Sequence, residues 1–186
     1  MRKMLVLVTV ALLAITAAAL AGCGGNSAQA KTLTATADAA YAKISTQLDA
    51  LQSQLTPVLG GAVTGNFSTL TPTTLAGAIT AMDLILSQMP AVKADYQKVA
   101  SLSGVPDYSS YATAMIKAID ANTAVLNESK QLINSLAPLV QSGNAAGLTQ
   151  FFAANGAELT KLQDMGTAAS KAYDDAQAIK QSKNLK

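Results

Sequence analysis

The chain of 186 residues is 50% hydrophobic, 4% aromatic and 13% charged, with no His, no Trp and a single Cys. This composition excludes a disulfide framework, a Ser-His-Asp or Cys-His catalytic site, an imidazole-bound metal and a typical haem site. Its length fits one domain, large enough to bury roughly two thirds of its unfolded surface, and its formal net charge of +2 is too small to argue for a polyanionic partner.

Residues 1–22 have three parts: Arg2 and Lys3, an apolar run from Met4 to Ala19 broken only by Thr9 and Thr16, and small residues around Ala21 and Gly22. That is the plan of a cleaved secretory signal; the run is short of the ~20 residues a transmembrane span prefers. Leu20-Ala21-Gly22-Cys23 resembles the lipobox of bacterial lipoproteins. The resemblance implies that Cys23 carries a thioether-linked diacylglycerol and becomes the new N-terminus. Acyl chains there would hold the protein on a membrane at roughly 0.8 kcal/mol per buried CH₂. Loss of the signal removes Arg2 and Lys3, so the 13 basic residues fall by two to 11 and meet 11 acidic ones. No nucleic-acid partner is expected of a neutral mature chain. Gly24 to Lys31 (GGNSAQAK) is small and polar, so residues 23–33 are expected to form an acylated Cys and flexible tether, with a folded domain over 34–186.

Within that domain, apolar residues recur in steps of three and four, the seam of helices packed nearly parallel to one another. Ala37, Tyr41, Ile44, Leu48, Leu51, Leu55 and Val58 predict a first helix over 34–59, stopped by Gly60-Gly61. Thr71-Pro72 opens a second over 72–102, on which Leu75, Ile79, Met82, Leu86, Met89, Tyr96 and Val99 form the seam and Pro90 predicts a kink or a break. Leu84 and Ile85 widen its apolar face. Tyr108, Tyr111, Met115, Ala118, Asn122, Val125, Ser129, Leu132, Leu136 and Leu139 predict a third helix over 107–141. The fourth, over 145–182, carries Leu148, Phe152, Leu159, Leu162, Ala169, Tyr173 and Ala176, with Asn155-Gly156 as its weak point. No stretch alternates long enough for a strand. The predicted architecture is all-α, an antiparallel up-down-up-down four-helix bundle with one longer connection over 60–71, similar in layout to uncharacterised helical-bundle lipoproteins of bacteria.

That topology gathers Tyr41, Tyr96, Tyr108, Tyr111 and Tyr173 at the tethered end. They are candidate ligand-binding residues if their hydroxyls converge on a cavity; otherwise they form an aromatic core layer with hydroxyls turned to local partners. Lys31, Lys171, Lys180, Lys183 and Lys186 approach the same end, where they can meet anionic lipid or simply solvate it. No charged residue occurs between Asp49 and Asp83 or between Lys130 and Glu158, and the fold brings both segments to the far tip. Phe67, Phe151 and Phe152 lie there, as a candidate partner surface or as a loop closing the end of the core. Asn122, Ser129 and Asn155 stand at seam positions, where a buried Asn often fixes register.

The acids are dispersed: Asp38, Asp49, Asp83, Asp95, Asp107, Asp120, Glu128, Glu158, Asp164, Asp174 and Asp175 fall off the seams, at helix starts or on polar faces. They make no di-iron or EF-hand pattern, and the glycines at 60, 61 and 65 precede no phosphate-binding Lys-Ser/Thr pair. No catalytic residue, metal or cofactor is expected. The expected role is non-catalytic, as a binding or scaffolding component of the cell envelope held to a membrane through Cys23, with a protein partner. The alternative is a bundle that binds a small molecule or lipid among the tyrosines, as an accessory to a transporter or sensor.

Overall fold

The computed structural model describes residues 25–63 and 65–185, so Cys23 and the segment 1–22 lie outside the described residues. Five helices pack together: α1 (Gly25–Val63), α2 (Pro72–Ala100), α3 (Pro106–Gln141), α4 (Ala145–Ala154) and α5 (Gly156–Ser182). There is no strand among the described residues.

Helix α1 is longer at both ends than its expected span of 34–59. At its start, Ala30 and Thr34 are buried at 0% and 2% exposure and Leu33 packs against the core. The seam therefore runs back through positions 34 and 30 in the same three-and-four steps, on small side chains that hydropathy does not single out. The polar run expected to be a tether is helical from Gly25 onward. At the other end the helix passes through Gly60-Gly61 to bury Ala62. Gly61 has a different task from stopping a helix. The Asn66 amide donates to its carbonyl at 2.8 Å, and a Cβ at position 61 would meet the Asn66 carbonyl oxygen at 2.8 Å. The connection folds back over the helix end at a point where only glycine fits.

The Thr71 hydroxyl accepts the Thr74 amide at 3.1 Å and Pro72 takes the first helical position, so α2 starts where its cap predicts. It then runs through Pro90 without a break. Pro90 lies on the exposed side, where water can replace the missing N–H. Ile85 is buried at 1% exposure while Leu84 stays 54% exposed, so the widened apolar face is covered only in part. This helix is long and apolar enough to cross a membrane, but Leu75, Met82, Ile85, Met89, Val92, Tyr96 and Val99 are buried in the protein core.

Helix α3 ends in a Schellman arrangement: Gly143, at φ +64°, donates to Val140 and Asn144 donates to Leu139, which satisfies the last carbonyls. The expected single helix over 145–182 is two. At Asn155 the backbone leaves helical geometry (φ −100°, ψ 17°), and its side-chain amide donates to the Phe151 carbonyl at 2.8 Å. The short amide side chain competes for a helical carbonyl and Gly156 supplies little helix propensity. The C-terminus repeats the Schellman motif with Asn184 in the left-handed position (φ 49°), Asn184 donating to Gln181 and Leu185 to Lys180. Leu185 is thereby returned to the core at 8% exposure.

Side-chain bonds give the directions of neighbouring helices. Gln88 donates to Gln47 at 3.2 Å and Tyr96 to Asp38 at 2.6 Å, so α1 and α2 are antiparallel. Lys93 pairs with Asp120 at 2.6 Å and the Ser109 hydroxyl donates to the Ala100 carbonyl at 2.9 Å, reversing α3 relative to α2. Lys161 to Glu128 at 2.6 Å and Lys183 to Asp107 at 3.2 Å do the same for α5 and α3.

Candidate functional site

The end of the molecule where α1 begins, α3 begins and α2 and α5 finish is organised by one carboxylate. Asp38 sits one residue from Ala37 and three from Tyr41, both buried, so it borders the seam of α1 instead of facing away from it. Its Oδ1 accepts the Tyr96 hydroxyl at 2.6 Å and the Tyr111 hydroxyl at 2.7 Å, and its Oδ2 accepts Lys180 Nζ at 2.5 Å. Four helices thus meet at a side chain only 20% exposed. Asp38, expected off the seam at a helix start or on a polar face, instead turns its carboxylate to two buried tyrosines. The signal that identifies it is an acid with buried seam residues at 34, 37 and 41 on the same side.

Three of the five candidate tyrosines are in the core: Tyr96 at 0%, Tyr111 at 1% and Tyr41 at 4% exposure. The Tyr96 and Tyr111 rings meet edge to face at 6.0 Å, and Lys180 Nζ stands 5.7 Å from the Tyr111 ring centre. Tyr41 stacks on the half-buried Tyr173 at 5.4 Å, and its hydroxyl accepts Asn122 Nδ2 at 3.3 Å. The same Asn122 amide donates to the Ala118 carbonyl at 3.0 Å. Tyr108 is half-buried against the core. The hydroxyls of Tyr41, Tyr96 and Tyr111 therefore converge on protein groups. Sequence spacing placed the five residues at one end but could not supply the acceptor that two of them share.

Burial governs the proton affinity of these phenols, because a phenolate would be stripped of water. It pushes Tyr41 up to about 12, with the neighbouring Tyr173 adding to the effect and Asn122 opposing it. Tyr96 is raised strongly, by burial first, then by Tyr111 and by donation to Asp38. Tyr111 is raised by burial and by donation to Asp38. At neutral pH all three keep their protons; Tyr96 and Tyr111 donate theirs to Asp38, while the Tyr41 hydroxyl accepts from Asn122. One buried polar atom among the described residues has no such partner, the Thr34 hydroxyl.

Three of the lysines near this end are engaged with acids. Lys180 is bound to Asp38, Lys183 to Asp107, and Lys171 to Asp175 at 2.8 Å. On α3 and α5, Glu128 and Glu158 share Lys161. Glu128 is held below the usual carboxylate range by hydrogen bonding with Glu158 and then by Lys161. That pair lies on the surface, and among the described residues no group of acids stands close enough to hold a metal ion.

At the opposite tip the three phenylalanines form one cluster. Phe67 stacks on Phe152 at 5.9 Å and Phe151 meets Phe152 edge to face at 5.7 Å. All three are half-buried and pack against the core, beside the buried Leu70 and Leu148. The connection from α1 to α2 is thus drawn across α4, while an Asn66 side chain accepting the Ser68 amide at 3.1 Å shapes its turn. Ser129, the remaining polar seam residue, is half-buried on α3.

Comparison with known proteins places no other chain beside this one: no family model, no curated protein and no solved structure matches it.

Proposed function

We propose that this chain is a lipid-anchored extracytoplasmic protein with a non-catalytic binding or scaffolding role in the cell envelope. It is held by acylated Cys23 on the outer face of a cytoplasmic membrane or on an outer membrane. In this reading the mature part is an up-down-up-down four-helix bundle, in which α4 and α5 together serve as the fourth rod. The observation that carries the proposal is Leu20-Ala21-Gly22-Cys23 directly after a signal-like apolar run. The arrangement of the anchored end supports a scaffold: the buried tyrosine hydroxyls are bound by Asp38 and Asn122 and hold helices together. The partner surface is the uncharged tip, where Phe67, Phe151 and Phe152 are only half-buried.

Two measurements test this reading. Growth with an alkyne-bearing fatty acid should label the wild-type chain and not Cys23→Ser, which should also retain its signal segment; equal labelling of both would end the lipoprotein assignment. In-cell photo-crosslinking from Phe67 and Phe151, with Lys117 on α3 as control, should give a discrete protein adduct from the tip alone. Adducts at none of these positions, with a small molecule co-purifying instead, would transfer the role to ligand binding among the tyrosines.

A further inference from the structure

The connection between the anchor and the folded domain is too short to be a tether. Helix α1 is formed from Gly25. In its first turn the Asn26 side-chain amide donates to the Ser103 carbonyl at 2.8 Å and reaches the Ser103 hydroxyl at 3.2 Å. Ser103 is 77 positions away, in the turn that joins α2 to α3. One turn further on, Ala30 is fully buried and Leu33 packs on the core, so the start of α1 is docked on the rest of the domain. Only three residue steps separate Asn26 from Cys23, and even fully extended they reach about 10 Å. The headgroup layer on one side of a bilayer is itself about 5–7 Å deep.

Resting on the acylation of Cys23, we propose that the α2–α3 turn is a membrane-contact surface, seated among phospholipid headgroups beside the anchor. Its composition suits that place. From Val99 to Pro106 there is no charged residue, Ser101 and Ser103 are exposed, and Gly104 makes the tight bend at φ +75°. The turn can therefore enter the headgroup layer without desolvating an ion. The flanking charges are matched in pairs, Lys98 with Asp95 at 2.7 Å and Lys183 with Asp107 at 3.2 Å. The turn itself carries no charge, so its partner is a zwitterionic headgroup and its own contact does not depend on low salt; Lys31, exposed on α1, lies outside it. The consequence is orientation: the domain stands on the bilayer with this turn down and the phenylalanine tip away from it.

The test uses the full-length lipidated protein in vesicles of phosphatidylcholine and phosphatidylethanolamine carrying a headgroup spin label. A fluorophore is placed at Ser101→Cys or, for reference, at Ser68→Cys in the connection at the tip. Quenching at position 101 is expected to exceed that at 68 by about fivefold or more, since only the former lies within reach of the headgroup layer, and to be unchanged by added salt. An insert of about ten Gly and Ser residues between Gly24 and Gly25, which extends the reach by roughly 17 Å, should reduce quenching at 101 at least about twofold. Equal, weak quenching at both positions, with mass spectrometry showing diacylated Cys23, would overturn the membrane contact and leave the lipoprotein reading intact. Unmodified Cys23 and a protein that does not partition with the vesicles would overturn both.

Discussion

The two ends of the molecule face the same task, keeping water out of the open end of a helical core, and meet it with opposite chemistry. At the α1 start, phenols, a carboxylate, an ammonium and an amide are bound to one another, with Asp38 common to four helices. At the tip, three phenyl rings and two leucines close the core without a charge. An apolar cluster rewards burial in many arrangements. A hydrogen-bonded network rewards only the one in which every partner is met, and leaving a member unmet is costly. The polar end therefore sets which helix lies against which and at what height, and the aromatic end adds cohesion without choosing.

Alkali should separate the two ends most strongly. Tyr41, Tyr96 and Tyr111 have proton affinities raised by folding above the ordinary phenol value of about 10. Each thus stabilises the fold fully below pH ~10 and loses that contribution as pH rises through its folded value, about 12 for Tyr41. Unfolding followed by helical circular dichroism should begin above pH ~10 and coincide with tyrosinate absorbance. Early, non-cooperative titration of Tyr41, Tyr96 and Tyr111 in a still-helical protein would show the network to be open.

Asp38→Ala, which strands two buried hydroxyls and Lys180, should cost about 3 kcal/mol in urea unfolding, the low end for a broken buried pair because the site keeps some solvent contact. Asp38→Asn retains an acceptor and should cost about half as much. A loss below about 0.5 kcal/mol in the alanine variant would show that the polar end holds the helices no more firmly than a surface ion pair does. Phe152→Ala removes both ring contacts at the tip and should cost about 2 kcal/mol, less than a fully buried Phe because the residue is only half-buried. It should leave the alkaline transition tied to the same phenols. The smallest effect is a gain: Thr34→Val replaces the one unpartnered buried hydroxyl with a methyl of similar shape and should add about 1 kcal/mol.

Periodicity made the helical character readable, because the seams of α2 and α3 carry large apolar side chains at regular steps. It failed where the seam is small: Ala30 is as fully buried as any core residue, yet it stands in a stretch that reads as linker, and the first nine residues of α1 were lost with it. Gly60-Gly61 looked like a terminus for a similar reason. The need for glycine came from a loop that returns to touch position 61, which no local pattern contains. Asn155-Gly156 was visible as a weak point, but its outcome depended on the side-chain bond to Phe151. At the candidate site, spacing gathered the tyrosines and phenylalanines and missed Asp38, since an acid beside a seam reads as solvent-facing until the groups from three other helices are known.

Helix α1 has one more property, that of a gauge. Its 39 residues, at 1.5 Å each, make a rod about 58 Å long, rooted at one end by Asn26 on Ser103 and closed at the other by the fold-back onto Gly61. The span between Gly25 and the phenylalanine cluster is therefore a fixed count of helical turns, unlike the variable reach of a floppy chain. Whatever is attached before residue 25 is kept at a set stand-off from whatever meets Phe67.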